Sequence, residues 1–300
     1  MSEHLLEVKN LRTNFATGGG IVQAVRGVSL YVDAGEFIGI IGESGCGKSV
    51  SMMSVMQLLA DNAAVRADAI LFDGMDLQKQ SRKQMRKLLG SSIGMIFQDP
   101  MTSLNTLYTI GNQLMEPLRQ HQRMTRAAAR ARALEMLRLV GINEPEKRLK
   151  QYPHELSGGM RQRVMIAIAM CCTPKLLIAD EPTTALDVTI QAQIMELMAE
   201  LKDRFSTATI LITHDLGVIA SVCSRVMVMY GGKIMEEGSV EDIFYAPGHP
   251  YTEGLLRSVP GDGSGSREKL IPIPGSPPDL MNPPVGCPFA ARCPKAMRIC

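Results

Sequence analysis

The chain has 300 residues, 45% of them hydrophobic and 21% charged, with a formal net charge of +2. That is enough apolar material for one sizeable α/β domain with additions, while so small a net charge gives no electrostatic footprint for nucleic acid or for unaided membrane binding. Residues 1–7, MSEHLLE, do not read as a signal peptide, and no apolar run approaches membrane-spanning length, so any membrane association is expected to come through a partner protein. There are 21 methionines and no tryptophan, and methionine on helices is chiefly a filler of irregular core space.

Residues 5–11 and 22–32 alternate apolar and polar positions as antiparallel strands do. The run Phe37-Ile38-Gly39-Ile40-Ile41 is short, apolar and β-branched, which predicts a buried strand. Residues 42–49 then read GESGCGKS, and the apolar stretch 50–59 is long enough for a helix. Strand, glycine turn and helix start are the context in which this spacing holds a nucleoside triphosphate. Glycines let the backbone curl so that successive N–H groups face phosphate oxygens, and the helix N-terminus adds partial positive charge. The candidate phosphate-binding residues are Gly42, Ser44, Gly45, Cys46, Gly47, Lys48, Ser49 and Val50. Lys48 is placed to reach the β- and γ-phosphates and the Ser49 hydroxyl to ligate Mg²⁺. Cys46 need offer only its backbone.

The span 99–155 reads as a helical insertion. Within it, residues 125–141 have a capping Thr125, strong helix formers and a terminating Gly141, and their arginines read as a solvated face. Residues 175–180 form a second buried strand ending in Asp180, followed at once by Glu181 and the strand-breaking Pro182. A buried carboxylate is tolerable only when paired or associated with a metal, which makes Asp180 a candidate for holding Mg²⁺. Glu181, past the strand end, is a candidate for orienting and polarising an attacking water. Further strands are expected at 209–213 and 226–229, and no internal repeat is evident.

The order of glycine loop, Gln98, LSGGMRQR at 156–163, Asp180-Glu181, Ala185-Leu186-Asp187 and His214 resembles the nucleotide-binding subunits of ATP-binding-cassette transporters. The resemblance implies an α/β fold: a P-loop NTPase core with an antiparallel β subdomain, a helical insertion and a small irregular C-terminal extension. The expected division is 1–98 with 157–250 for the core, 99–156 for the helical part and 251–300 for the extension. It also implies roles for matching residues. Phe15 would stack on adenine, although a lone Phe in a strand is more often core. Gln98 would contact Mg²⁺ or water and link the site to the membrane partner. Ser157, Gly158 and Gly159 would bind the γ-phosphate held by the opposite subunit, at a helix beginning near Met160. Asp187 would cross the dimer seam, and His214 would contact the γ-phosphate. Such a subunit is half of a pair, closing on ATP so that water other than the attacking one is excluded.

The tail refines the resemblance. After PGHPYT at 247–252 and a predicted helix at 253–258, residues 261–266 (GDGSGS) have linker composition and the proline-rich 271–280 is expected to dock extended. With MTSLN at 101–105 and TTALDVT at 183–189, this tail is similar to the ATPase subunits of bacterial oligopeptide and dipeptide importers. That likeness implies a second ATPase subunit, two integral-membrane permeases and an extracytoplasmic peptide-binding protein, with the chain at the cytoplasmic face of the plasma membrane. Cys287, Cys293 and Cys300 lack the paired C-x-x-C of structural zinc. The resemblance implies a [4Fe–4S] cluster, which wants four cysteines, so a fourth ligand lies beyond residue 300 or the cluster does not form normally. Zinc and unligated thiols remain alternatives. Cys171 and Cys172, on the helix after the signature LSGGMRQR (156–163), read as small buried apolar residues. A soluble cassette ATPase acting on ribosomes or DNA is the rival class, yet it usually carries two cassettes or a long coiled-coil or basic insertion, neither of which is present. A non-hydrolysing regulatory subunit is a third reading, opposed by Glu181, His214 and the intact LSGG.

Overall fold

The structure, a computed structural model, describes residues 4–184, 186–258 and 272–300. The expected linker 261–266 lies outside the described residues, as do Ala185 and Ile271. The chain divides into two compact units, one from Met1–Asp33, Phe37–Lys79 and Thr213–Cys300, the other from Ala34–Glu36 and Gln80–Ile212.

In the first unit the strands Leu6–Thr17 and Gly20–Val32 pair antiparallel, from Leu6 opposite Val32 to Thr17 opposite Gly20. They outrun the predicted 5–11 and 22–32 because the hairpin continues into an exposed tip where apolar alternation no longer marks it. Leu6, Val8, Leu11 and Thr13 are buried. The alternation skips between Val8 and Leu11, where the register shifts and Asn10 takes φ 50. That is a bulge, and asparagine is among the residues that tolerate this left-handed backbone. Ala63–Arg66 and Ala69–Phe72 also pair with Leu6–Thr17, and Met75–Asp76 follows on from the latter, completing the expected antiparallel subdomain.

The same unit carries the strand Phe37–Ile41, buried at every position and parallel to Arg225–Tyr230, which turns back antiparallel into Lys233–Ser239. A parallel strand covered on both faces reads as an unbroken apolar run, which is why this one is legible. The helix after the glycine loop spans Lys48–Val55, shorter than the predicted 50–59 at its far end. Gln57 stops it by taking φ 56, and its Nε2 donates to Leu77 O at 2.6 Å. The tail helix is Pro250–Arg257, starting earlier than the predicted 253–258 because Pro250 suits a first helical position. Residues 272–280 contain no helix or strand. Gln23 N donates to Leu280 O at 2.8 Å and Arg26 Nη2 to Pro284 O at 2.9 Å, which fastens the extended tail to Gly20–Val32.

The second unit holds the parallel strands Ile93–Ile96, Leu176–Asp180 and Ala208–Ile212, with Leu176–Asp180 between the other two. Parallel neighbours need long crossovers. The first crossover runs through the expected helical insertion and the helix that follows it, with Ile110–His121, Arg126–Leu139 and Gly158–Met170 packed on one another. The second is the helix Val188–Phe205. Thr125 caps Arg126–Leu139 by accepting from Ala128 N, as its sequence announced. Arg126, Arg130 and Arg138 are exposed as expected, whereas Arg132 is half-buried, ion-paired to Glu135 and donating to Cys171 O. Among the described residues ten methionines, Met52, Met136, Met165 and Met198 among them, are buried as core filler.

Leu137 is fully buried between these helices. Leu137→Ala is expected to cost about 2–5 kcal/mol by leaving a cavity, read as a lower urea midpoint for the unfolding step of this unit.

Candidate functional site

The glycine loop is built by contacts only a bare Cα allows. Gly42 has φ +151, and a Cβ there would lie 2.0 Å from Met229 O; at Gly47, φ +105, it would lie 2.5 Å from Ala24 O. The chain can therefore curl between Phe37–Ile41 and Lys48–Val55 with Ser44 and Gly45 exposed at its crest. Lys48 is 5% exposed, and its Nζ donates to Gly42 O at 2.7 Å and Glu43 O at 3.1 Å. A buried ammonium held against the loop's own carbonyls is a cation placed where phosphate oxygens would complete its coordination. Cys46 is buried, its thiol pKa raised by burial, and its backbone carbonyl accepts from Gly232 N at 3.0 Å. The thiol is thus packing. Ser49 and Val50 are half-buried in the first turn of the helix.

Two other predicted residues belong to this unit. Phe15 is half-buried on the antiparallel sheet, opposite Val22 and Ala63, so it is not the core residue that a lone strand Phe usually is. His214 is exposed in the bend before the helix Leu216–Val222, whose cap Asp215 accepts from Val218 N at 3.1 Å.

The second unit brings the two carboxylates to the end of one strand. Asp180 is the last residue of Leu176–Asp180 and is 3% exposed. Glu181 leaves the strand with φ 47, its N–H donating to Ile212 O at 2.8 Å. Its carboxylate accepts from Gln98 Nε2 at 2.8 Å and from Thr184 Oγ1 at 3.0 Å. A left-handed backbone at a glutamate costs on the order of 1–3 kcal/mol, held here by surrounding hydrogen bonds. Thr184 was not foreseen; the signal was a hydroxyl three residues past the acid, in the turn that Pro182 forces.

The signature segment starts its helix earlier than expected. Gly158–Met170 begins at Gly158 rather than near Met160, because Ser157 is the cap and accepts from Met160 N at 3.4 Å. Ser157 is exposed, Gly158 and Gly159 half-buried. Asp187 is exposed and caps Val188–Phe205 by accepting from Ile190 N at 2.9 Å. Cys171 and Cys172 are buried as expected, although they lie just past the end of this helix rather than on it.

In the tail, the three cysteine thiols are half-buried and free. Cys287 N donates to Cys300 O at 2.7 Å, while Cys287 Sγ lies 3.9 Å from His249 Nε2. Among the described residues no three His, Cys, Asp or Glu side chains gather into a group that could hold a metal ion. His249 caps Pro250–Arg257 through Nδ1, accepting from Tyr251 N at 3.1 Å. Burial lowers its pKa, against the opposing pull of Glu236 and Glu253.

These features can be set beside known proteins. The description "ABC transporter" matches residues 25–184, more than half of the chain. The chain belongs to the ABC transporter family. The family region "Oligopeptide/dipeptide transporter, C-terminal region" matches residues 235–300. The chain is 58% identical, over 99% of its length and 89% of the relative's, to the dipeptide transport ATP-binding protein DppD of Bacillus subtilis (strain 168). It is 53% identical, over 100% of its length and 88% of the relative's, to the oligopeptide transport ATP-binding protein OppD of Escherichia coli (strain K12). Among solved structures, the dimeric post-hydrolysis state of the ATP-binding cassette MJ0796 bound to ADP and Pi matches with TM-score 0.70 and 28% identity, covering 78% of this chain and 98% of that one. The chain is thus an ABC-type ATPase with the cassette fold. No helix among the described residues is long and apolar enough to cross a membrane.

Two outcomes are expected. Gly47→Val is expected to abolish nucleotide binding, read by titration with a fluorescent ATP analogue, because its side chain meets backbone that cannot yield. For His249, the lowered folded pKa means a stabilising contribution present above its ordinary value of 6.5 and lost as pH falls from there through the folded value. The melting temperature of the unaltered chain is therefore expected to drop more between pH 7 and pH 5 than that of His249→Asn, which keeps a capping side chain.

Proposed function

We propose that this chain is the ATP-hydrolysing subunit of a bacterial importer of oligopeptides or dipeptides, closing on ATP against a second cassette and thereby driving two membrane permeases. The observation that carries the reading is Glu181, a carboxylate set at the end of a buried strand in a left-handed backbone and aimed by Gln98 and Thr184. A general base must be positioned before it can act, and these contacts position it.

The roles then follow from the chemistry of each group. Lys48 and the N–H groups of Gly42 and of residues 44–50 hold the triphosphate, with Ser44 and Gly45 at the open crest. Ser49, Asp180 and Gln98 offer a hydroxyl, a carboxylate and an amide oxygen, the hard donor set that suits Mg²⁺. Asp180, 3% exposed, ends its strand in a carboxylate of the kind such a cation takes. Gln98 spends its Nε2 on Glu181 and so keeps Oε1 as the ligand atom. Bound Mg²⁺ supplies neutralisation of charge on the β- and γ-phosphate oxygens. Glu181 orients and polarises the attacking water, and His214 contacts the γ-phosphate. Ser157, Gly158 and Gly159 present a helix N-terminus to the γ-phosphate of the nucleotide held by the opposite subunit, Asp187 lies at that seam, and Phe15 stacks on adenine.

Phosphoryl transfer is governed by positioning and charge, so an unclosed cassette hydrolyses little, and closure is the stroke that the permeases feel. The relatives' names support the peptide substrate. A paralogous second ATPase, an extracytoplasmic peptide-binding protein and a place at the cytoplasmic face of the membrane belong to the same reading.

Glu181→Gln is expected to leave ATP affinity intact while lowering turnover in the assembled complex by about 10²–10⁴-fold, the usual contribution of a positioned base. Undiminished turnover would remove Glu181 from the reaction. A tagged chain recovered from membrane extract is expected to bring two polytopic permeases and a second cassette subunit; ribosomes or DNA-repair proteins in their place would overturn the importer reading.

A further inference from the structure

The C-terminal extension takes hold of the phosphate loop at one residue, Glu43, which none of the roles above uses. Its N–H donates to the Tyr251 hydroxyl at 2.9 Å and its carbonyl accepts from Lys48 Nζ at 3.1 Å. Its carboxylate receives Arg292 through both oxygens, Nη1 at 2.8 Å and Nη2 at 3.0 Å. The Arg292 side chain is only 7% exposed. Its remaining three N–H bonds go to the Tyr230 hydroxyl at 2.9 Å, to Pro274 O at 2.8 Å and to Ile273 O at 3.2 Å. All five guanidinium donors are thus committed, in a planar fork that lysine cannot reproduce. Phe289 is buried against Tyr230 and Tyr251, with ring centroids 5.3 and 5.2 Å away, which fixes the segment carrying Arg292. Pro277, Pro278 and Leu280 line a small cavity with Glu43, Ser44, Gly45 and Cys46.

Glu43 is therefore fixed at its nitrogen, its carbonyl and its carboxylate, and two of those three anchors come from the tail. A loop whose function is to present backbone N–H groups gains affinity when its bound shape is set in advance. Resting on the ATPase reading above, we infer that Arg292 is a positioning residue for nucleotide binding: through its forked pair with Glu43, the C-terminal extension holds the phosphate loop in its nucleotide-ready shape. By reciprocity, nucleotide in the loop tightens the seat of the tail.

Charge alone and positioning predict opposite results. Glu43→Gln removes a negative charge beside the phosphates, so simple electrostatics would tighten nucleotide binding, whereas loss of the pair weakens it. Arg292→Lys keeps the charge and loses the fork. Both variants, made in the full chain, are expected to weaken the Kd for a non-hydrolysable ATP analogue by roughly five- to fiftyfold, within the range of ordinary coupling between sites. In the assembled complex the effect is expected in KM, with kcat at saturation within about twofold, because a loop held in shape binds ground state and transition state alike. In the unaltered chain, amide hydrogen exchange across residues 287–293 is expected to slow when the analogue is added, and in Arg292→Lys it is not. Unchanged or tighter binding by Glu43→Gln, unchanged binding by Arg292→Lys, or exchange in the unaltered chain that ignores nucleotide would each overturn the inference. The exchange measurement needs no variant, so it decides even if the substitutions unfold the tail. An unaltered chain that binds no nucleotide would overturn the ATPase reading and the inference with it, whereas equal binding by all three chains overturns the inference alone.

Discussion

At Gly42 and Gly47 the phosphate loop runs so close to the backbone at Met229 and Ala24 that no side chain fits between them. This steric condition sets the direction in which the Lys48–Val55 helix leaves the loop and buries the Lys48 ammonium under the loop's own carbonyls. It also joins parts of the chain far apart in sequence, because the contacting carbonyls belong to Gly20–Val32 and Arg225–Tyr230. Both strands also bear on the tail, the first through Gln23 and Arg26 and the second through the Tyr230 hydroxyl. The phosphate loop is thus a product of its surroundings as much as of its glycines, and a change at Ala24 or Met229 reaches it through backbone rather than through any ligand contact.

Much of the fold could be read in advance because it rests on local rules. The buried strand 37–41, the capped helix 126–139 and the acid pair after Leu176–Asp180 each show a pattern that one physical cause produces: burial on both faces, a hydroxyl cap, a strand ended by proline. Boundaries failed where a single residue overrode the pattern. Gln57 ended a helix that its apolar neighbours would have continued, and Ser157 began one two residues before the expected start. The grip of Arg292 on Glu43 spans 249 positions, and no periodicity or spacing encodes a partner at that distance. For the tail cysteines, the cluster came from the resemblance and not from their spacing, which lacks the paired C-x-x-C.

The capping residues show how one side chain can serve fold and chemistry together. Ser157 and Asp187 each satisfy a helix N-terminus in the second unit, as Thr109 and Thr125 do elsewhere in it. Thr109 and Thr125 have no further task in the proposed mechanism, whereas Ser157 and Asp187 do. The distinction is not in the cap geometry, which is ordinary at all four, but in the neighbouring residues. Two glycines after Ser157 leave that helix end open to an approaching phosphate, and Val188 after Asp187 stands 82% exposed.

Glu181 occupies a backbone conformation that glutamate disfavours, held by Gln98, Thr184 and the Ile212 carbonyl. Replacement by glycine or asparagine relaxes that strain while deleting the carboxylate. On the proposed mechanism, a chain so altered would lose its chemistry and keep, or improve, its fold. Quality control that culls misfolded subunits has no handle on it, so it would accumulate and take its place beside functional partners. In the proposed paired cassette a defect at this position would therefore be dominant in character: one folded, inert copy would silence the assembly it joins, where a core mutation merely thins the supply.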